Sequence, residues 1–290
     1  MLNLKKLDRL FAKFDADPAS DHFLALLRET ARLKAEYSAA TPDWTQQEYE
    51  EALHGEKPLV ASRTIGVKRE DFLHVFELLL ETARKAGAPA EDFEGMPQAE
   101  AFFTDEVLQQ FVRRPDSLWE AIDRADIDSE QAEFLFVPIA VFALRVFFDD
   151  AAAEASATFE RMVPDTVHFE RSLTCPVCGT YAGIASVGAT QNHGNVKHLH
   201  CVCCGASWQF ERIRCATCGT EAASDLEYTH FEGDDKHRLH VCSACGSAVP
   251  TVFGAESEDF DPDFEQWRSA QLMAAYYEQQ ADSQNGSGTA

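Results

Sequence analysis

The sequence has no apolar stretch fit for a bilayer: its longest uncharged apolar run, Phe134 to Leu144, falls well short of about 20 residues and contains Pro138. It has no Gly-rich phosphate loop, no His-Glu-x-x-His and no nucleophile elbow, which removes common nucleotide-binding and hydrolase signatures. It is poor in positive charge, with 25 Lys and Arg against 49 Asp and Glu and a net charge of −24. Such a surface repels phosphate backbones, whereas nucleic-acid binders carry a basic face. The opening residues, Met1-Leu-Asn-Leu-Lys-Lys-Leu-Asp-Arg-Leu, put charge into every turn and offer no apolar core of a signal peptide, so a cytoplasmic protein without membrane insertion is expected. In a reducing compartment nine cysteines, an odd number, argue for metal rather than for a disulfide framework.

The length of 290 residues exceeds one small module, and the vocabulary changes along the chain. Up to about residue 163 apolar residues recur at helical spacing, as in Phe72, Val75, Phe76, Leu79, Leu80 and Ala83, and six to eight helices packed as a bundle are expected. Ser20-Asp21 caps a helix from His22 to Tyr37, Gly87 and Pro89 close one that begins near Arg69, and Pro115-Asp116-Ser117 opens another. The last helix of the bundle is expected over Ser129 to Val163, interrupted near Pro138, where a backbone donor is missing. Residues 166–212 and 213–254 then form two four-cysteine modules. Residues 255–290 follow as an acidic linker, an amphipathic helix from Phe264 to Gln279 and a disordered ending from Ser283. Charge follows the same division. Residues 1–170 hold 18 basic against 34 acidic groups, 171–254 hold 6 against 7, and 255–290 hold 1 against 8. The fold class is therefore α+β and multidomain: an all-α bundle, two tandem rubredoxin-like or zinc-ribbon modules and a C-terminal helix.

The cysteines form an internal repeat. Four pairs share the frame Cys-x-x-Cys-Gly: Cys175/Cys178, Cys201/Cys204, Cys215/Cys218 and Cys242/Cys245. The glycine sets the register, pairs Cys201 with Cys204 and leaves Cys203 outside the frame. "KHLHC" and "HRLHVC" precede the second pair of each half, as expected of a duplicated module. Two thiolates three residues apart on a tight turn hold one metal, and the following glycine tolerates the left-handed backbone that the turn needs. Two sites are expected, one from Cys175, Cys178, Cys201 and Cys204 and one from Cys215, Cys218, Cys242 and Cys245. Each takes one ion, and thiolate softness admits iron or zinc. So little chain lies between the turns that the metal is structural first. Thioredoxin-like redox chemistry lacks its βαβ context. His198, His200 and His240 read as strand residues beside the ligands, with His200 placed to hydrogen-bond near the metal, and Cys203 reads as a packed side chain.

The order "CPVCG", "HLHCVCCGASW", "RIRCATCG" and "VCSACG" behind an all-helical domain resembles the formate dehydrogenase accessory protein family, the FdhE type. "GEKPLV" and "FLFVPIAVF" upstream look similar to segments of that family. The chain departs from it at Ser247-Ala-Val-Pro-Thr and at "DFDPDFEQW". The resemblance implies a cytoplasmic maturation factor or chaperone, not an enzyme. It would bind the catalytic subunit of a formate dehydrogenase, or of a related exported molybdenum or tungsten pterin enzyme, during assembly. It further implies rubredoxin-like sites associated with iron. The partner-binding candidates are Trp208, Arg212 and Arg214, with Lys197 beside them, all read as exposed; for Trp208 the competing reading is packing between the two metal sites. The rival functions are a nucleic-acid-binding zinc ribbon, which the charge disfavours, and a rubredoxin-like electron-transfer protein.

Overall fold

The computed structural model describes residues 2–162, 171–190 and 194–286. The chain separates into two compact units, Met1–Tyr181 with Cys201–Trp208, and Ala182–His200 with Gln209–Ala290. The modules expected at 166–212 and 213–254 follow the cysteine repeat, whereas these units follow the packing. The boundary expected between the helical part ending near residue 163 and the module beginning at 166 lies outside the described residues.

The first unit is built from helices Leu4–Lys13 (α1), His22–Leu33 (α2), Gln46–Leu53 (α3), Leu59–Ser62 (α4), Arg69–Lys85 (α5), Ala99–Phe102 (α6), Asp105–Arg113 (α7), Ser117–Arg124 (α8), Ser129–Phe134 (α9) and Phe136–Met162 (α10). These are ten α-helical segments among the described residues, more than the six to eight expected. The surplus comes from the one-turn helices α4 and α6 and from the break between α9 and α10. That break falls at Leu135 because Pro138 has no N–H for the carbonyl of Phe134 and its ring crowds that turn; in the first turn of a fresh helix the missing donor costs nothing. Asp21 caps α2, its Oδ1 accepting from the Leu24 amide at 3.0 Å, and α2 stops at Leu33, short of the expected Tyr37.

The predicted stripe on α5 is buried in full. α10 is apolar almost all round and buries Ile139, Ala140, Ala143, Leu144, Phe148 and Ala152 among others, as a helix without a polar face must. Phe72, Phe76, Phe103, Phe111 and Phe136 form one aromatic cluster, with Phe103 stacked on Phe136 at 5.6 Å and edge-on to Phe72 at 4.9 Å.

Among the described residues a buried ion pair, Arg145 with Asp149, lies inside this core. The Asp149 carboxylate, 1% exposed, accepts from the Leu2 amide at 3.0 Å, from Lys34 Nζ at 2.6 Å and from Arg145 Nε at 3.0 Å. Burial raises its pKa, but Arg145 and Lys34 outweigh burial and hold it below the usual carboxylate range.

In the second unit the strands are Ile184–Thr190 (β1), Gly194–His200 (β2), Leu226–Thr229 (β4), His237–Cys242 (β5) and Ala248–Phe253 (β6); Ser207–Phe210 (β3) crosses the division between units. The sheet order is β3-β2-β1-β6-β5-β4. It is the duplication made visible: three strands from each repeat, in the same internal order, joined where β1 and β6 run parallel with Ala185 opposite Thr251. β1 and β2 form an antiparallel hairpin, and β5 pairs antiparallel with both β4 and β6.

The C-terminal helix Pro262–Gly286 (α11) lays Leu272, Met273 and Tyr276 on Leu239, Val241 and Ala248. Its start follows from Pro262 and from Asp261, whose Oδ1 accepts from the Phe264 amide at 3.2 Å. It runs beyond the expected Gln279 and through Ser283, because no proline or glycine interrupts it before Gly286; the last four residues of the expected disordered ending lie outside the described residues. Among the described residues no helix is long and apolar enough to cross a membrane.

Replacing Asp149 by Ala leaves the buried Arg145 without its carboxylate, while Lys34 keeps Asp150 at 2.8 Å, and denaturant unfolding should register a loss of about 3 kcal/mol. Because the native pKa is depressed, the carboxylate's contribution is complete above its ordinary value of about 3.9 and fades as pH falls through the native one. An acid-unfolding midpoint equal in wild type and variant would contradict this assignment.

Candidate metal centres

Each Cys-x-x-Cys-Gly frame folds into the same turn. The Gly amide donates back to the carbonyl of the first cysteine: Gly179 to Cys175 at 2.8 Å, Gly205 to Cys201 at 2.8 Å, Gly219 to Cys215 at 3.1 Å and Gly246 to Cys242 at 2.8 Å. The first cysteine's amide donates to the carbonyl beyond the glycine, at Thr180, Ala206, Thr220 and Ser247. All four glycines have positive φ, between 74° and 85°, which is why the frame ends in glycine.

Paired turns bring the sulfurs together as the sequence register requires. Cys175, Cys178, Cys201 and Cys204 form one group, and Cys215, Cys218, Cys242 and Cys245 the other, with the ligand atoms of each within 4.8 Å of one another. Cys175 and Cys204 lie 3.5 Å apart, as do Cys178 and Cys201; the corresponding distances in the second group are both 3.8 Å. Four sulfurs at about 2.3 Å from a tetrahedral centre stand roughly 3.8 Å apart, so both groups fit a four-thiolate ion. Cys203, 5% exposed, stands outside the first group, and its thiol is pushed well above the usual range by its contact with Cys178 and by burial.

The protonation pattern is that of crowded thiols. Burial pushes Cys175 and Cys204 well above their ordinary value. Burial opposes the charge on Cys178 too, but hydrogen bonds from Cys175 and Cys201 overcome it and hold that sulfur well below. In the second group burial is overcome at Cys215 by the amides of Cys218 and Thr217 and by Ser247, which lower it to about 6, while burial lifts Cys242 to about 12. A soft cation converts such crowded sulfurs into four ligands by displacing protons.

Two hydroxyls not singled out in the sequence support these sulfurs. Thr180 Oγ1 lies 3.2 Å from Cys178 Sγ and 3.1 Å from Cys201 Sγ. Ser247 Oγ lies 3.1 Å from Cys245 Sγ and 3.5 Å from Cys215 Sγ. In both cases the hydroxyl after a turn's glycine touches that turn's second cysteine and the first cysteine of the paired turn. The signal was present in the sequence, because three of the four frames continue with Thr or Ser.

The surroundings of the two groups differ. In the first unit the amides of Leu59 and Val60, on α4, donate to the carbonyls of Pro176 and Val177 inside the first turn. Arg145 donates to the Val202 carbonyl at 3.2 Å. A Cβ at Gly205 would lie 2.4 Å from that guanidinium, and one at Gly179 would lie 3.3 Å from Pro58. All four sulfurs of this group belong to buried residues. In the second group Cys215 and Cys242 are buried but Cys218 and Cys245 are exposed, and a Cβ at Gly246 would meet nothing.

The partner-binding candidates sit differently from their expected exposure. Trp208 is fully buried, and its Nε1 donates to the Ser172 carbonyl at 3.1 Å. Lys197 and Arg214 are buried beside the Phe210 ring, at 5.3 and 5.2 Å from its centroid. Arg212 is the exposed member of the set. Burial lowers Lys197 to about 8 and, helped by Lys197, lowers His240 to about 4, so a neutral His240 Nδ1 accepts from the ammonium at 3.3 Å. The strand histidines fall as read: His198 and His200 on β2 and His240 on β5. His200 Nε2 meets Ser186 Oγ at 2.7 Å, whereas His193 lies outside the described residues.

No family model matches the chain. It is 25% identical over 140 residues to the FdhE homologue of Edwardsiella ictaluri, covering 48% of this chain and 41% of that protein. The FdhE homologue of Yersinia pestis gives 25% over 144 residues, 49% of this chain and 41% of that one. The matches thus span about two fifths of the length of these curated relatives. The crystal structure of the FdhE protein from Pseudomonas aeruginosa superposes with a TM-score of 0.53 at 20% identity, covering 96% of this chain and 92% of that one. The α+β fold class expected from the sequence is the one observed, and the resemblance read from the cysteine motifs stands.

The glycines offer a graded test. Gly205→Ala combines a strained φ with an Arg145 pinned by Asp149, and should cost about 1–3 kcal/mol of stability. Gly246→Ala meets open space and should cost only about 1 kcal/mol. Thermal unfolding that ranks the two in reverse would show that the first site is not built as described.

Proposed function

We propose that this chain is an FdhE-type accessory protein. In this reading it binds the catalytic subunit of a formate dehydrogenase, or of a related molybdenum or tungsten pterin enzyme, during cytoplasmic assembly. Its eight frame cysteines hold two metal ions, iron or zinc. The observation that carries the reading is the pair of four-cysteine groups with a repeated turn, set in a fold like that of an FdhE protein. Several features support it. Four thiolates around an ion leave no coordination position for a substrate, which favours a binding role over a hydrolytic one. The near-neutral cysteine segment of an acidic chain lacks the positive field that dominates nucleic-acid binding. Arg212, exposed beside the exposed Ile213, offers a partner-facing pair of the kind favoured at interfaces. Trp208 acts in this reading through packing, by fixing the segment before the first turn.

Affinity purification from the native host tests the reading directly: the large subunit of a pterin enzyme should be recovered, and its absence under assembly conditions would refute the partner. Elemental analysis should give about two ions per chain by the four-ligand rule. Cys203→Ser should leave that content unchanged, whereas Cys175→Ser and Cys215→Ser should each remove about one ion. Loss of an ion from Cys203→Ser would overturn the register.

A further inference from the structure

The two four-cysteine groups share one turn geometry and differ in what surrounds them. Around the first, no ligand residue is more than 2% exposed: Cys175 1%, Cys178 1%, Cys201 2% and Cys204 0%. Both turns are sealed from outside the cluster, by α4 through its amides and Pro58, and by Arg145 against Gly205. An incoming ligand would have to displace a guanidinium held by a buried carboxylate. Around the second, one edge is open. Cys218 and Cys245 are exposed, as are Thr217 and the residues Ser243, Ala244 and Gly246 of the adjoining turn. The space over Gly246 is empty to 4 Å. The opposite edge, at Cys215 and Cys242, is buried, and on that side Lys197 Nζ lies 3.5 Å from the carbonyl of Arg214, the residue before Cys215.

Charge points the same way. A divalent ion in four thiolates carries two net negative charges, which would oppose an approaching anion. A fixed cation behind the site reduces that opposition without obstructing the front. Hydroxyl support is also asymmetric in exposure, since Ser247 bridges Cys215 and the exposed Cys245.

We propose that the second four-cysteine group is the exchangeable metal site of this protein: it receives and releases its ion by ligand exchange with a soft thiolate donor entering at Cys218 and Cys245, while the first group holds its ion closed. In the exchange step the incoming thiolate sulfur forms a bond to the ion as the bond to Cys218 or Cys245 Sγ breaks. The released cysteine thiolate takes up the proton that the entering thiol gave to solvent. The ion keeps four sulfurs and its oxidation state throughout, and a second exchange at the other exposed cysteine leaves it held by only two protein ligands. This deepens the reading of both groups as metal sites and rests on it.

The test uses the whole chain loaded with two ions, counted beforehand by elemental analysis. Excess dimercaptosuccinate, a small dithiol chelator, is added, and native mass spectrometry follows the ions remaining per chain. Aliquots are alkylated with iodoacetamide and mapped by peptide. A one-ion species should accumulate, with alkylation confined to Cys215, Cys218, Cys242 and Cys245. The second ion should leave at least about ten times more slowly, because access to the first group needs a local opening. Loss of both ions at one rate, or early alkylation of Cys175, Cys178, Cys201 and Cys204, would overturn the proposal while leaving the two-site reading intact. A chain that holds fewer than two ions after reconstitution would refute the two-site reading and the exchange with it.

Discussion

Four sulfurs held within bonding distance of a common point constrain everything after residue 170. As thiolates they repel one another, and as thiols they form weak hydrogen bonds that do not secure a turn. A soft cation turns the same crowding into four bonds. The strands between the turns are short, and the second repeat alone buries little: Leu239 and Val241 on β5 and Ala248 on β6 find apolar cover from α11 rather than from within the ribbon. A ribbon of that size has too little core to stand without staples. Sheet, turns and C-terminal helix are thus a consequence of the sulfur cage at least as much as its support.

The duplication gives the sheet its order. Each repeat, read alone, is a turn, a hairpin, a second turn and a third strand. Placing two copies side by side leaves β1 and β6 as neighbouring inner edges, and their parallel pairing closes the gap. That removes two of the four strand edges two separate ribbons would present, and unpaired edges are an aggregation liability. α11 covers one face and is tied at its start by Glu265, which accepts from Lys236 Nζ at 2.8 Å and faces His237 Nε2 at 2.8 Å.

Much of this was legible in the sequence, and the parts that were not share a cause. The cysteine register followed from the glycines because a left-handed backbone is a local requirement, readable one residue at a time. The α5 stripe followed from periodicity for the same reason. Exposure at Lys197 did not follow from its charge. On β2 it shares a face with Leu199, two residues on, and both are buried, 1% and 0% exposed, so the period-2 pattern was better guidance than the residue type. Trp208 and Arg145 depend on partners distant in the chain, Ser172 and the carbonyl of Val202, which no local pattern announces. The break before α10 was foreseen in kind but misplaced, because proline disturbs the turn that precedes it.

A repeated motif invites the assumption of a repeated role, and the surroundings argue otherwise. The turns are alike down to their hydrogen bonds, so the difference between the sites cannot lie in the ligands themselves. It lies in what each glycine faces: a guanidinium at Gly205, a proline ring at Gly179, open space at Gly246. Covering a four-thiolate ion slows every route by which it can leave, including hydration, thiol attack and alkylation, without changing its equilibrium coordination. Duplication followed by covering one copy therefore yields two sites of one chemistry and two kinetic characters. The buried pair Arg145 and Asp149 is where that divergence is anchored, because the guanidinium that closes the first site is paired in the core with the Asp149 carboxylate. Stability of the helical unit and closure of the first site are, on this geometry, one interaction.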